Sequence, residues 1–427
     1  MALHPPIVGS SDVHSLTRRC DVADVCRRAP NDGLAGARDT RRMTDATLDP
    51  DIRLLPFRIE FGARALDDLR RRIEDFRWPD LGYDSGWRTG TSDTVLRELV
   101  RYWARDFDWP AAQAILNARA HVRGDIDGEA MHAMVAAGPA VEARTPLLLL
   151  HGWPNSFVDY VEVADLLSRS GEVGPGFDVV VPSLPGFGFS QPPRAPGLDP
   201  RRIAERLHRL MGALGYQRYG VHGGDWGAII GTALALRHPE AVIGLHLTHA
   251  PNRTLPPDNP PLSEVERAYL DGLQAIRAEE SGYVAIQGTR PQSLAYAQND
   301  SPVGLLAWML EKYWAWSDHG DELWDAVDRD QVLRNVTLYW LTGTALSAMR
   351  IYYERGHTDE PFLDGFVEAP TGFARFPRDP WGAPRALLER SYRLVHYTEA
   401  ARGGHFPAIE QPEPLAADVR TFFGALR

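Results

Sequence analysis

An aspartate occupies the position from which a hydrolytic enzyme more often presents a serine, in Gly223-Gly224-Asp225-Trp226-Gly227. An apolar segment, Tyr219-Gly220-Val221-His222, leads into it, and a helical run from Ala228 to Leu236 leads out. Strand, tight turn and helix in that order form the elbow that lifts a nucleophile above the end of a sheet. Small residues are needed at 223 and 227, because larger side chains would clash between strand and helix. A carboxylate is already ionised at neutral pH and needs no base to activate it. It can displace a leaving group from a tetrahedral carbon and form an alkyl-enzyme ester. A glycine-rich turn with an aspartate capping a helix would read the same, so the motif gains meaning only from its partners.

The ester must then be hydrolysed. Leu147-Leu148-Leu149-Leu150 reads as a buried parallel strand, and it ends in His151-Gly152-Trp153-Pro154-Asn155-Ser156-Phe157. A tight turn there turns the backbone N–H of Trp153 toward the site. With the N–H of Trp226 it would form a two-donor oxyanion hole for the tetrahedral intermediate of ester hydrolysis. A third apolar run, Phe177 to Pro182, enters Ser183-Leu184-Pro185-Gly186-Phe187-Gly188-Phe189-Ser190. Strands interleaved with helices imply a parallel α/β sheet with its site at the strand C-termini.

The base and its orienting acid should come later in the chain, in the order nucleophile, acid, histidine expected of α/β-hydrolases. Tyr392 to Tyr397 is strand-like, and the loop after it carries Gly403-Gly404-His405, followed by a helix-like run from Pro412 to Leu426. The chain has 14 histidines, so loop context rather than residue type singles out His405. The preceding strand, Pro370 to Pro377, is closed by Arg378-Asp379, which makes Asp379 the expected acid. In some α/β-hydrolases the acid instead follows the strand here read at Val242 to Thr248. That loop is His249-Ala250-Pro251-Asn252 and holds no carboxylate.

Taken together, these motifs resemble the microsomal-type epoxide hydrolases of the α/β-hydrolase superfamily, from about Leu55 to the C-terminus. The resemblance rests on Pro56-Phe57-Arg58-Ile59, on Leu66-Asp67-Asp68-Leu69-Arg70-Arg71-Arg72-Ile73 and on Arg77-Trp78-Pro79-Asp80. It continues through HGWPNSF, PSLPGFGFS, GGDWG, PTGFARFP and RGGHFPAIEQPE in family order, and through the segments 280–283 and 298–305. The family's acid is often glutamate; aspartate at 379 shortens the reach to His405 without changing the chemistry. The resemblance implies two tyrosines on a helical lid that hydrogen-bond the epoxide oxygen, by position Tyr283 and Tyr352. Tyr353 is one residue away from the second. Ring opening leaves an alkoxide far more basic than phenolate, so a phenol can stabilise or protonate it.

The rest of the chain bounds this reading. At 427 residues with 44% hydrophobic content it can bury a large core in two or three units. A net charge of −11 argues against nucleic acid or an anionic membrane as partner. Lys312 is the lone lysine, and that skew with abundant Ala, Gly and Pro suggests a GC-rich bacterial coding sequence. Cys20 and Cys26 both fall in the N-terminal tail and imply no disulfide framework. Without an apolar run of membrane-spanning length or a secretory h-region, the expectation is a cytoplasmic protein without a membrane anchor. Residues 1–51 read as a loosely ordered extension, with Met43 an alternative natural start. Residues 52–140 read as a mostly helical segment ending in a hairpin from Arg119 to Val135 that turns at Asp127-Gly128. Residues 141–252 and 367–427 make the two halves of the core, around a helical lid of about 253–366. Trp308, Tyr313, Trp314 and Trp316 share one lid helix and are expected mostly to pack.

No metal-ligand spacing is present, and neither cofactor nor metal is expected. The partners expected are a small-molecule epoxide and water, with a homodimer left open. Two other functions remain at this point. Haloalkane dehalogenation shares the aspartate nucleophile and often a following tryptophan, but a departing halide needs N–H donors rather than acids. A ligand-binding protein without catalysis would have no use for an intact Asp225, Asp379 and His405 set.

Overall fold

The computed structural model describes residues 52–137, 144–170, 176–251, 253, 260–358 and 363–426. The loosely ordered extension expected over residues 1–51 lies outside them. Nine strands form one sheet: β1 (Leu54–Phe57), β2 (Ala120–Ile126), β3 (Glu129–Ala136), β4 (Pro146–Leu150), β5 (Asp178–Pro182), β6 (Tyr219–Gly223), β7 (Val242–Leu247), β8 (Val367–Arg375) and β9 (Tyr392–Glu399). Their order is β1-β2-β3-β5-β4-β6-β7-β8-β9. From β5 to β9 every neighbouring pair is parallel. Leu147 to Leu150 lie at the centre with no solvent exposure, as a strand covered by helices on both faces must.

The hairpin turns where the sequence places it. Asp127 and Gly128 both take positive φ, 59° and 81°, the pairing that a two-residue turn needs to match strand twist. The finding beyond expectation is its destination. β3 pairs antiparallel with β5 and β1 pairs with β2, so the segment before the core extends the same sheet. An exposed edge at β5 would leave a row of unpaired N–H and C=O groups; the hairpin covers it.

Between β7 and β8 the described residues form six α-helices, Glu264–Glu280, Gly282–Thr289, Pro291–Asp300, Pro302–Trp316, Arg329–Thr342 and Ala345–Gly356, and one short 3-10 helix, Leu323–Asp325. Their ends carry local signals. Ser263 and Glu266 form a reciprocal capping box, and Ser301 accepts the Gly304 N–H at 2.9 Å ahead of Pro302. The helices within residues 63–117 and the turn between the first two of them brace this insertion. Trp87 stacks on Trp314 with ring centroids 4.5 Å apart, Trp103 Nε1 donates to Thr337 Oγ1 at 3.0 Å, and Tyr102 donates to Asp330 at 2.7 Å.

Helix Asp225–Arg237 is buried through most of its length, and its small residues allow close approach to the sheet. A Cβ on Gly227 would lie 2.0 Å from the Leu150 carbonyl oxygen, and one on Gly223 would lie 2.4 Å from the backbone of Gly227. Glycine is therefore obligatory at both positions, for the steric reason that the motif implied.

On the opposite side, Asp418 of helix Pro412–Gly424 ties β7 to β9 by accepting from His246 Nε2 at 2.8 Å and His396 Nε2 at 3.0 Å. Burial raises the Asp418 pKa, but the two histidines outweigh it and hold the carboxyl down at about 2. A depressed carboxylate contributes stability above its unfolded value near ~3.9, lost as pH falls from there through about 2. Asp418→Asn should therefore lower the thermal midpoint at neutral pH and blunt the loss of stability below about pH 4. Unfolding scans across pH check this; superimposable acid limbs would refute it.

Candidate active site

The strand ends bring the expected side chains together. Asp225 begins its helix with φ of 48°, a left-handed conformation that a non-glycine residue adopts at some cost. That turn swings the carboxylate back over β4. The N–H of Trp153 donates to Asp225 Oδ1 at 2.8 Å. The N–H of Trp226 also reaches this carboxylate and, with the charge of His405, favours its ionised form. Burial alone would raise the Asp225 pKa; these groups together hold it below the ordinary carboxylate value. Both expected oxyanion donors thus converge on one carboxylate.

Gly152 is the close-approach residue of this turn. A Cβ there would lie 2.0 Å from Asp225 Oδ1 and 2.4 Å from Asp225 Cβ. Gly152→Ala should push the carboxylate out of line and lower kcat by roughly 10²-fold, since an ångström of misplacement costs about that much. Steady-state kinetics beside a thermal melt checks this. An unchanged kcat would mean that the turn relaxes without moving Asp225.

His405 faces the other carboxylate oxygen. Its Nδ1 lies 3.0 Å from Asp379 Oδ1, and its Nε2 lies 3.5 Å from Asp225 Oδ2, too long to align as a hydrogen bond. Asp379 Oδ1 also accepts the Trp381 N–H at 3.1 Å, which fixes the carboxylate's orientation. Burial opposes a charged imidazole here, but Asp379 and Asp225 outweigh it and raise the His405 pKa to about 10. The loop is held by Glu410, which accepts from the N–H groups of Gly404 at 2.9 Å and Phe406 at 2.8 Å. The His405 N–H donates to the Trp316 carbonyl at 2.7 Å. Sequence reasoning did not single out Glu410; its place five residues after His405, in the same motif, was the available signal.

The two tyrosines come from different helices of the insertion and meet above Asp225. Tyr283 stacks on Trp153 at 5.2 Å, Tyr352 sits edge-on to Trp226 at 4.7 Å, and their own rings are 5.8 Å apart. Burial and the Asp225 charge push the Tyr283 phenol well up; burial, Tyr283 and Asp225 do the same to Tyr352. Both therefore stay protonated as donors. Tyr353 instead stacks on His357 and lines a separate groove of about 470 Å³ that holds none of these groups.

Of the four aromatics on helix Pro302–Trp316, Trp316 alone faces the site, 5.2 Å from both Tyr283 and His405. Tyr313 donates to Asn155 at 2.7 Å and Trp308 to Gln287 at 3.1 Å, both as packing. Two further neighbours went unremarked in the sequence. Trp381 and His249 bring their rings to 4.8 and 5.7 Å from His405. His249 sits on the loop after β7, the position noted for lacking a carboxylate.

Among the described residues, two trios gather metal-ligand atom types within 4.8 Å: His246, His396 and Asp418, and His249, Asp379 and His405. No spacing rule would find either, because their members come from distant strands and loops. Hydrogen bonding accounts for the first, and the second contains the histidine–aspartate pair. No helix among the described residues is long and apolar enough to cross a membrane.

Comparison with known proteins bears on the family and the fold. Residues 54–160 match the family described as epoxide hydrolase N terminus, and residues 145–280 match the alpha/beta hydrolase fold. The chain is 39% identical to a Stigmatella aurantiaca protein over 382 residues, 88% of this chain and 86% of that one. It is 35% identical to epoxide hydrolase 1 of Sus scrofa, over 89% of this chain and 90% of that one. The solved juvenile hormone epoxide hydrolase of the silkworm Bombyx mori superposes with a TM-score of 0.81 at 30% identity, over 88% of this chain and 95% of that one.

Proposed function

The chain belongs to the epoxide hydrolase family of α/β-hydrolases, and we propose that it forms a vicinal diol through an ester on Asp225. The observation that carries this reading is a carboxylate with one oxygen bonded to the Trp153 N–H, the other facing His405, and two phenols overhead. Asp225 Oδ2 attacks an epoxide carbon while the C–O bond breaks, and Tyr283 and Tyr352 receive the developing alkoxide and supply its proton. Oδ1 becomes the ester carbonyl oxygen and keeps its bond to Trp153. His405 then takes a proton from water, the hydroxide adds to the ester carbon, and the oxyanion hole holds the charge until the diol leaves. For this His405 first passes its resting proton to the tyrosinate once Asp225 is esterified; collapse of the intermediate then hands the carboxyl proton to the departing diol oxygen, and His405 ends protonated as it began.

The electrostatics favour that order of events. In the resting enzyme both carboxylates keep His405 protonated, with its pKa at about 10. Esterification removes the Asp225 charge, so the histidine loses one of its two stabilising partners and becomes a base when a base is needed. A pocket of about 30 Å³ borders Asp225 and His405, room enough for a water. Haloalkane dehalogenation is less well supported: the Trp226 side chain bonds toward Tyr352, and phenols do not assist a departing halide.

Exchanging either tyrosine for phenylalanine tests the reading. Tyr283→Phe or Tyr352→Phe should each slow ring opening, and the double variant should nearly abolish it, since general-acid help is worth ~10²–10⁴-fold. The two phenols serve one oxygen, so their losses should not add. Rapid-mixing measurement of alkylation checks this; near wild-type rates in the double variant would place ring opening elsewhere.

A further inference from the structure

The pocket of about 30 Å³ that borders Asp225 and His405 is lined by a second carboxyl, Asp159, which the proposed reaction leaves without a task. Asp159 belongs to the 3-10 turn Phe157–Tyr160, a few residues after the Trp153 N–H. The segment that supplies an oxyanion donor therefore also brings this carboxyl to the pocket. Asp159 is buried, at 3% exposure.

Local structure gives no reason for an acid there. Ser156 already caps the turn, accepting the Val158 N–H at 3.4 Å. Asp159 Oδ1 accepts from Gln331 Nε2 at 3.2 Å, but the same amide also reaches the Val158 carbonyl at 3.3 Å. Arg334 acts on the carboxyl from behind Gln331, to whose Oε1 it donates at 2.7 Å. Burial raises the Asp159 pKa to about 7, against the pull of Gln331, Asn155 and Arg334. A carboxyl so placed works against folding when it ionises, and such groups gather where chemistry needs them.

Asp159 Oδ2 is buried and has no hydrogen-bond partner, and His405 Nε2 is in the same state. Buried polar atoms are nearly always paired. Here two orphaned atoms belong to side chains that line one pocket with room for a water, and a buried water needs roughly two to four polar partners.

We propose that Asp159 is a positioning residue for ester hydrolysis, its Oδ2 accepting a hydrogen bond from the pocket water that His405 deprotonates. This rests on the covalent reading given above. His405 Nε2 takes one hydrogen of that water and Asp159 fixes the other, which leaves a lone pair for the ester carbon. Asp159 itself makes and breaks no bond, so the proton balance of the reaction is unchanged.

The two half-reactions test it separately. Asp159→Asn keeps the shape of the side chain and removes its charge. Rapid mixing should show unchanged alkylation of Asp225, with ester hydrolysis slowed roughly 10²-fold so that the ester accumulates. Asp159→Glu, which retains a carboxylate, should hydrolyse the ester faster than Asp159→Asn. Ionising the buried carboxyl costs stability as pH rises from ~3.9 through about 7, so Asp159→Asn should melt no lower than the wild type at about pH 8. A purely structural residue would not give a variant that is as stable as the wild type and defective in one half-reaction. Wild-type hydrolysis in Asp159→Asn, or equal slowing of both half-reactions, would overturn the assignment and leave the ester standing. Failure to trap an ester in the wild type, Asp159→Asn and His405→Gln alike would sink the covalent reading, and this assignment with it.

Discussion

Asp225→Ala is expected to form no diol above background, a loss of roughly 10⁴-fold or more, while the protein stays folded. The size of the effect follows from what remains. Trp153 and Trp226 would still offer their N–H groups, and the tyrosines would keep their places over the site, but the carboxylate that those N–H groups orient would be gone. His405 would be left to activate water for direct attack. Loss of the Asp225 charge also lowers the His405 pKa, so the variant could only become a better base. Residual diol formation thus measures the direct route without handicap. Alanine at a positive φ costs about 1–3 kcal/mol, and removal of a buried charge repays part of it. Product chromatography with a thermal melt decides the matter. A complementary single turnover in heavy-oxygen water should put the label into Asp225 rather than the diol, because water attacks the ester carbon and the diol takes the aspartate's oxygen. Label in the diol would exclude the ester.

The elbow was legible in the sequence because its constraints are local. Gly152, Gly223 and Gly227 each lie where a Cβ would meet backbone or the Asp225 side chain, so the chain has no choice of residue there. The same holds for the His405 loop, whose spacing to Glu410 is set by two backbone hydrogen bonds. What escaped is what depends on long-range pairing. Nothing in Leu54–Phe57 or the Asp127-Gly128 hairpin says which edge of which sheet they join; β5 decides that from fifty residues further on. His249 and Trp381 escaped for a different reason. A histidine or tryptophan in a loop has no signature until the fold places it, and only their ring contacts with His405 mark them. Tyr352 and Tyr353 show the intermediate case. Adjacent residues on a helix point about 100° apart, so position in the sequence narrows the choice to two and packing against Trp226 makes it.

His405→Gln should divide the reaction into its halves. Asp225 remains ionised, and the tyrosines, raised well above the ordinary phenol value, remain protonated, so ring opening proceeds. Ester hydrolysis stalls, because no neutral base remains beside the water. The variant should yield at most one product equivalent per enzyme and accumulate an adduct equal to the substrate in mass, located on Asp225 by peptide mapping. The wild-type pH profile should carry the same signature. Alkylation needs an ionised Asp225 and protonated phenols, which together hold across the neutral range, so its rate should be flat there. Hydrolysis instead needs neutral His405 in the ester. The Asp225 charge that helps hold the resting histidine at about 10 is then absent, so the ionisation governing hydrolysis falls below that value. Hydrolysis should therefore slow as pH drops through the lowered value, and the ester should build up on the acid side. Sustained multiple turnover by His405→Gln, or an adduct on another residue, would show that His405 is not the base that releases the diol.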